Sequence, residues 1–204
     1  MRYTGPKCRL CRREGKKLFL KGERCETGKC AILTRGTPPG TAKKTNKPTE
    51  YGRQLREKQA LKRMYGITER QLQGYYARAT RSMEPTGDQL LRLVDLRVDN
   101  VAYKAGFGFS RAQVRQFITH GMLEMNGKKI KTPSIEVKTG DVISVREKFG
   151  DLPVFVELSK LETKPPKWMK VDQKKLSVVV ERRPEADELE QGIASHVIVE
   201  FYSR

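Results

Sequence analysis

Residues 110–129 read Ser110-Arg-Ala-Gln-Val-Arg-Gln-Phe-Ile-Thr-His-Gly-Met-Leu-Glu-Met-Asn-Gly-Lys-Lys129. Ser110 followed three residues later by Gln113 is a capping box, and the apolar residues after it repeat at helical spacing. The pair Asn126-Gly127 between two short runs is typical of a two-residue β-hairpin turn of type I′. The stretch therefore predicts a helix followed by a hairpin, the centre of a small mixed α/β module.

The flanking residues extend this module to residues 92–146. On the N-terminal side, apolar residues continue in helical register to residue 105 and end at Gly106. On the C-terminal side, residues 137–146 combine a Gly-Asp turn with a run rich in β-branched residues, which predicts a further strand.

The rest of the chain is predicted to be helical around the module. Residues 50–91 form a helical domain, with one helix over 50–65 and a second that starts at the capping box Thr68-x-x-Gln71. Residues 147–204 are expected to return to this domain, with short strands at 176–180 and 197–201. The predicted class is α+β: a metal-knuckle N-terminal arm, a helical domain, and an inserted small α/β module.

The net charge of +18 indicates a polyanionic partner. Residues 1–65 contain 19 Lys and Arg against 5 Asp and Glu, whereas the remaining residues contain 23 against 19. A nucleic acid is the first candidate, and an anionic membrane surface is the rival. No stretch approaches the roughly 20 apolar residues of a membrane span, and the N-terminus lacks a signal-peptide core. We therefore expect a cytoplasmic protein with reduced thiols.

The cysteines are spaced Cys8-x2-Cys11-x13-Cys25-x4-Cys30. Two pairs of closely spaced thiols predict one tetrathiolate metal site, with Zn²⁺ as first choice and a four-iron cluster as the alternative. Two disulfides, or four unliganded thiols, are the remaining interpretations. A site closed by four sulfurs has no open position for substrate, so its predicted role is structural.

The segment between the cysteines and the first long helix completes the predicted arm, residues 1–49. Residues 34–49 contain three prolines, two glycines and almost no large apolar side chain. This composition excludes a regular element. We interpret the segment as an extended basic strap that is ordered by its partner; a flexible linker is the alternative.

Candidate RNA contacts follow from the placement of charge. Arg111 lies near a helix start, where a cation opposes the helix dipole unless a phosphate is present. His120 lies at the end of the same helix, where it either caps the helix or contacts RNA. The other candidates from the arm and the first helix are Arg2, Lys7, Arg9, Arg12, Arg13, Lys16, Arg35, Lys43, Lys44, Lys47, Arg53, Arg56, Lys62 and Arg63.

The module resembles the small RNA-binding fold called the S-four domain. The residues that carry this likeness are Arg92-Leu-Val-Asp95, Gly108-Phe-Ser-Arg-Ala-Gln113, Arg115-Gln-Phe117, His120-Gly121, Asn126-Gly-Lys128 and Val137-Lys-Thr-Gly-Asp-Val-Ile143. That family binds RNA through the helix start and the hairpin. The resemblance implies RNA contact by Arg111, Gln113, Arg115, Gln116, Asn126 and Lys128.

The likeness extends over essentially the whole chain. The segments Cys8-Arg-Leu-Cys-Arg-Arg-Glu-Gly15, Tyr51-Gly-Arg-Gln-Leu-Arg-Glu-Lys-Gln59 and Val199-Glu-Phe-Tyr-Ser-Arg204 resemble the S-four family of bacterial small-subunit ribosomal proteins. The resemblance implies binding to a junction in the 5′ domain of 16S rRNA, early in assembly. It also implies contacts with neighbouring small-subunit proteins near the mRNA entry channel, and an influence on decoding accuracy.

Other functions are less well supported by the sequence. A non-ribosomal RNA-binding regulator or a ribosome-associated stress factor with the same module is the alternative. An enzyme is not expected, because the roughly 60 residues after the predicted module are too few for a separate catalytic domain. The sequence also lacks a Walker-type phosphate loop.

Overall fold

The chain is described by a computed structural model in two compact units. The structure describes residues 3–40, 48–161 and 164–203. Unit 1 combines Met1–Leu91 with Glu190–Arg204, and unit 2 comprises Arg92–Leu189. The predicted α+β class is confirmed, because the described residues combine helices with a small antiparallel sheet.

The N-terminal arm of unit 1 contains two short helices. Helix α1 spans Lys7–Glu14, a 3₁₀ turn spans Gly22–Cys25, and helix α2 spans Ala31–Thr34. Gly15, with a φ of 70°, ends α1 in the left-handed conformation that glycine adopts readily. Residues 35–40 and 48–49 form neither helix nor strand, as the composition of the strap predicts.

The two central helices of unit 1 begin and end at the residues that the sequence indicates. Helix α3 spans Glu50–Tyr65 and stops at Gly66, whose φ is 61°. Helix α4 spans Glu69–Ala79, and both halves of its predicted capping box form: the Thr68 hydroxyl accepts from the Gln71 N–H, and the Gln71 side chain accepts from the Thr68 N–H.

The helical register predicted to run through residue 105 is broken in the middle. Helix α5 spans Thr86–Asp95 and helix α6 spans Val98–Lys104. Between them, the Val98 N–H donates to the Ile135 carbonyl at 2.8 Å, and the Leu96 carbonyl accepts from the Val137 N–H at 2.8 Å. Pairing with this distant strand-like segment satisfies backbone groups that a continuous helix would otherwise have bonded internally.

The C-terminal residues form a helix, so the strand predicted at 197–201 is wrong. Helix α9 spans Ser195–Tyr202 and packs on α3. Its β-branched composition favours a strand, yet Val197, Ile198, Phe201 and Tyr202 follow the helical pattern i, i+1, i+4, i+5. Val197 and Ile198 are buried, and the Phe201 ring lies 5.7 Å from the Tyr51 ring.

Unit 2 is built on an antiparallel five-stranded sheet of order β2-β1-β3-β5-β4. Its strands are β1 (Leu123–Met125), β2 (Lys128–Lys129), β3 (Val142–Val145), β4 (Met169–Asp172) and β5 (Ser177–Val180). Helices α7 (Arg111–Thr119) and α8 (Pro153–Lys160) complete the unit. The predicted hairpin turn is present, with φ angles of 51° at Asn126 and 73° at Gly127, as type I′ requires.

The compact unit that contains the predicted module extends beyond residue 146. Residues 147–189 belong to unit 2, and only residues from Glu190 onward return to the helical unit. Strand β5 pairs with β3, setting Val178 opposite Ile143, which covers an edge that β3 would otherwise expose. The predicted strand at 176–180 therefore exists, but it joins the sheet of the module rather than the helical domain.

The core of unit 2 depends on this C-terminal part. Trp168 and Phe155 are fully buried, and the Phe155 ring lies 4.9 Å from that of Phe117 on α7. Val178 and Val180 are also fully buried in the same cluster. Residues from both sides of position 146 thus fill one core.

This arrangement predicts different behaviour for two fragments. We expect residues 92–189 to unfold cooperatively and residues 92–146 to lack a cooperative transition, because the shorter fragment loses Trp168, Val178 and Val180, each worth about 1.5–3 kcal/mol when buried. Thermal unfolding followed by circular dichroism, together with the dispersion of amide NMR signals, measures the difference. A cooperative transition at the same temperature in both fragments would contradict the boundary at Leu189.

Candidate nucleic-acid interface

Several cations of the arm hold the arm together. Arg12 donates from Nε to the Thr37 carbonyl at 2.9 Å and from Nη2 to the Pro38 carbonyl at 3.3 Å. These bonds tie α1 to the strap. Lys7 donates to the Tyr3 carbonyl at 3.0 Å, and its Nζ lies 5.4 Å from the centre of the Tyr3 ring. Two predicted RNA contacts therefore have structural roles in the arm.

A buried carboxylate links the arm to α3. The Glu14 side chain is fully buried and forms ion pairs with Arg63 and Arg56. Burial raises the pKa of Glu14, while the two guanidinium groups act in the opposite direction. Arg56 and Arg63, both predicted as RNA contacts, thus neutralise a charge that would be expensive to bury alone.

Other predicted cations of α3 and the arm are paired in the same way. Lys16 binds the Glu57 carboxylate at 2.8 Å and the Gly192 carbonyl at 3.0 Å, which connects the arm with the returning C-terminal segment of unit 1. Arg53 pairs with Glu50 at 2.8 Å one turn earlier on α3, in an exposed position.

Glu69 at the start of α4 is the centre of a second network. Its carboxylate accepts from Lys58 at 2.7 Å, from Lys62 at 2.9 Å and from the Tyr202 hydroxyl at 2.7 Å. Burial alone would raise the pKa of Glu69, but these three donors outweigh it and lower the pKa to about 2. Lys58 also lies 4.3 Å from the centre of the Phe201 ring, so the network holds α9 in place.

A few cations of the arm remain directed at solvent. The side chains of Arg9, Arg13 and Arg35 are exposed and form no hydrogen bond or ion pair within the described residues. The predicted contacts Arg2, Lys43, Lys44 and Lys47 lie outside the described residues.

In unit 2, the guanidinium of Arg111 is positioned by a neighbouring helix. Its Nε donates to Asn100 Oδ1 at 2.8 Å, and its Cζ lies 4.6 Å from the centre of the Tyr103 ring. Asn100 in turn donates to the backbone and side-chain oxygens of Asp95, both at 3.0 Å, and Lys104 pairs with Asp95 at 2.9 Å. The predicted RNA contact is thus the outer member of a largely buried polar chain.

Arg115 belongs to a parallel network. The Asp99 carboxylate forms a bidentate ion pair with the buried Arg97, with hydrogen bonds of 3.0 Å and 2.7 Å. Arg115 approaches the same carboxylate at 3.6 Å. The Arg115 side chain is only 16% exposed. A phosphate would have to compete with Asp99 for this guanidinium.

The amides predicted from the family resemblance serve the fold. Gln113 accepts a hydrogen bond from the Phe109 N–H at 2.8 Å, which stabilises the start of α7. Asn126 donates to Asp141 at 2.8 Å and accepts from the Val142 N–H at 2.9 Å, which fixes the hairpin against β3. In contrast, Gln116, His120 and Lys128 are exposed.

The four cysteines lie in one region and are not joined as disulfides. Cys11, Cys25 and Cys30 are buried, and Cys8 is half-buried. Burial raises the pKa of the Cys11 thiol; the Leu18 backbone lowers it, and the charges of the other three cysteines raise it further. No group of three or more His, Cys, Asp or Glu side chains is arranged to hold a metal ion in the described part of the chain. The metal site stays a prediction.

The sequence pattern does not reveal the acidic and amide partners of these cations, namely Glu14, Glu69, Asp99 and Asn100. The spacing between Arg97 and Asp99 is local, but Glu14 is separated from Arg56 and Arg63 by more than 40 residues. The one available signal was that Glu14 is the only acid among the cations of residues 9–17.

Comparison with known proteins agrees with the architecture. Residues 2–95 match the family model of the ribosomal protein S4/S9 N-terminal domain, and residues 96–143 match that of the S4 domain. Together with the exposed cations, these matches define a ribosomal protein that carries an S4 domain. No helix in the described residues is long and apolar enough to cross a membrane.

The particular family follows from full-length relatives named small ribosomal subunit protein uS4. The relatives from Heliobacterium modesticaldum and Desulfitobacterium hafniense are 48% identical over 206 residues, and the one from Natranaerobius thermophilus is 49% identical over 207. Each alignment covers 100% of this chain and 99% of the relative. The chain therefore belongs to the uS4 family.

The Glu69 network predicts a pH dependence of stability. Because the pKa of Glu69 in the folded chain is about 2, against an ordinary value of 4.5, its contribution is complete above pH 4.5 and is lost as the pH falls towards 2. We expect Glu69→Gln to lower the free energy of unfolding by about 1–2 kcal/mol at pH 7, since Glu69 is partly exposed and solvent screens its bonds.

Urea unfolding at pH 7 and at pH 3 tests this expectation, with Glu157→Gln on the exposed side of α8 as a control. The difference between wild type and Glu69→Gln should shrink at the lower pH. A difference that is equal at both values would show that Glu69 does not titrate in this window.

Proposed function

We propose that this chain is a structural constituent of the small ribosomal subunit, without enzymatic activity, that binds 16S rRNA directly. Within that role, the chain binds a helical junction of the 5′ domain and nucleates subunit assembly. It also influences decoding accuracy through contacts with neighbouring ribosomal proteins. Its place is the ribosome in the cytoplasm. The observation that carries the proposal is the kinship with small ribosomal subunit proteins over 100% of the chain.

The distribution of charge supports binding by shape rather than by base sequence. The exposed cations of the arm, Arg9, Arg13 and Arg35, suit phosphate oxygens, which carry no sequence information. Folded RNA is recognised mainly through its backbone and its shape. Arg111, held by Asn100 and Tyr103, presents its guanidinium in a fixed orientation, which suits a rigid RNA junction.

Two further partners belong to the proposal. The near-neutral C-terminal part of the chain suits contact with neighbouring small-subunit proteins, because the acidic run 185–190 would repel phosphate. The basic strap suits transient contact with mRNA near the entry channel. A non-ribosomal regulator is disfavoured, because the likeness covers 99% of the uS4 relatives rather than the S4 domain alone.

The proposal predicts a steep salt dependence of binding to a 16S rRNA transcript. The slope of log Kd against log salt concentration should fall by about 0.9 for each phosphate that a variant no longer neutralises. We expect the double variant Arg9→Gln/Arg13→Gln to reduce the slope by nearly the amount that two phosphates contribute. Arg53→Gln, a single-charge control whose guanidinium already pairs with Glu50, should leave the slope almost unchanged. Filter binding between 0.1 and 0.4 M KCl measures these slopes.

Two results would contradict the proposal. One is a wild-type slope that corresponds to only one or two phosphates. The other is found in cells: a tagged chain that is sub-stoichiometric in small subunits after a high-salt wash, or that is recovered with large subunits.

We also propose that Cys8, Cys11, Cys25 and Cys30 hold one Zn²⁺. The donor set supports this assignment: four thiols without a disulfide, of which three are buried. The Lys21 N–H donates to the Cys25 sulfur at 3.4 Å, and the Leu18 backbone bonds to the Cys11 sulfur, so both sulfurs accept backbone hydrogen bonds. A bound Zn²⁺ would neutralise thiolates that otherwise repel one another.

The zinc proposal predicts about one Zn²⁺ per chain purified under reducing conditions. Mass spectrometry of metal content measures this, and Cys25→Ser should lose the metal and expose residues 7–34 to limited proteolysis. Thr27→Ser, in the same loop, is the control. Iron in place of zinc would favour the four-iron alternative, and the absence of both metals would refute the site.

A further inference from the structure

A cluster of cations surrounds the end of α7 in unit 2. Lys129 of β2 lies so close to Gly121 that a Cβ at this glycine would collide with its aliphatic chain. Arg146, next to the end of β3, donates from Nη1 to the Gly121 carbonyl at 3.2 Å. Lys148 shares the Phe149 ring with Arg146, and Lys131 follows Lys129 by two residues; both act electrostatically on Lys129. Lys129, Lys131, Arg146 and Lys148 form the Gly121 cluster.

An aromatic ring supports one side of the Gly121 cluster. The Phe149 ring is half-buried and packs against the core of unit 2. Lys148 Nζ lies 4.8 Å from its centre, and Arg146 Cζ lies 5.8 Å away. The ring attracts both cations through its negative face and keeps them near each other without neutralising them.

The cluster lacks carboxylate partners within the described residues. None of its four members forms an ion pair there, although Arg97, Lys104 and Arg115 of the same unit all do. Glu124 faces Lys129 in the hairpin register, yet its carboxylate accepts from Ser144. The pKa of Lys129 is lowered, mainly by repulsion from Lys131, then by burial, and then by repulsion from Arg146 and Lys148. Like charges held together in this way destabilise the free protein.

Helix capping does not account for the cluster. Cations near the C-terminal end of α7 interact favourably with the helix dipole. Arg146 alone already bonds the Gly121 carbonyl, and neither Lys131 nor Lys148 makes a hydrogen bond in the described part of the chain. An anion supplied from outside would offset their repulsion.

The surroundings of the cluster suit a phosphate rather than a protein. Lys128, His120 and Thr132 beside it are exposed and polar. The large apolar residues that unit 2 exposes are Val142, Leu152, Val156 and Leu161; of these, Leu152 adjoins the cluster through its bond to the Phe149 carbonyl, and it is only 37% exposed. Protein interfaces are depleted in lysine and have an apolar centre, whereas RNA backbone contacts are dominated by cations.

We propose that Lys129, Lys131, Arg146 and Lys148 bind backbone phosphates of ribosomal RNA at the end of α7, in addition to any contact at the start of this helix. This inference rests on the proposed function. Arg111 and Arg115 at the helix start are engaged with Asn100 and Asp99, so the lysines of the Gly121 cluster are more readily available to a phosphate than these two arginines.

The test compares two charge-neutralising pairs in the full-length chain. Lys131→Gln/Lys148→Gln removes two cluster charges and spares Lys129 and Arg146, which contact Gly121. Lys174→Gln/Lys175→Gln removes two exposed charges near the turn between β4 and β5. Binding to a 16S rRNA transcript is measured by filter binding between 0.1 and 0.4 M KCl, and each Tm is recorded.

The salt slope of the Lys131→Gln/Lys148→Gln variant should be lower than that of wild type by about 1.8. Its loss of affinity relative to wild type should therefore be about tenfold smaller at 0.4 M than at 0.1 M KCl. The control pair should match wild type. Equal slopes for the two pairs would overturn the inference, while a steep wild-type slope would leave the proposed function standing. A shallow wild-type slope would instead refute the proposed function.

Two other outcomes would overturn the inference. A fall in Tm for the cluster pair but not for the control would show that these cations serve the fold. Normal binding to the transcript, combined with reduced occupancy in reconstituted subunits, would assign the cluster to an acidic protein neighbour.

Discussion

A cation that leaves water costs several kcal/mol unless a carboxylate accompanies it, and this constraint organises both units of the chain. Lys58 is 6% exposed and Arg97 is fully buried, and each binds a carboxylate at 2.7 Å. The partners, Glu69 and Asp99, lie at the first turns of helices α4 and α6, where the helix dipole also favours a negative charge. Paired charges of this kind determine where α9 meets α3 and α4 and how α6 is fixed in unit 2.

The same constraint divides the cations of this chain into two groups. Those between helices, such as Lys16, Arg56 and Arg63, neutralise carboxylates and hold the arm on α3. Those on the outside, such as Arg9 and Lys131, lack such partners within the described residues and remain available to phosphate. The net charge of +18 therefore does not by itself measure the number of RNA contacts.

Local signals in the sequence were sufficient for the elements they encode. Thr68 and Gln71 predict the start of α4, and Asn126-Gly127 predicts the hairpin, because each involves only neighbouring backbone groups. The break at Arg97, the helix at 195–202 and the assignment of β4 and β5 to unit 2 were missed. Each depends on contact with a segment distant in sequence, such as the pairing of Arg97 with Glu136 or of Val178 with Ile143.

The candidate interface shows the same limit. Residue type and the placement of charge selected Arg56 and Arg63, and the family resemblance selected Arg115, whereas the carboxylate partners of all three are visible only in the fold. The lysines around Gly121 escaped notice for the opposite reason: Lys129, Lys131 and Lys148 come from β2, from the segment after it and from a turn after β3. Their mutual proximity is a product of strand pairing between β1 and its two neighbours. Protein binding releases counterions only from the phosphates that such unpaired cations reach, so the affinity for RNA and its salt dependence reflect the fold and not the composition alone.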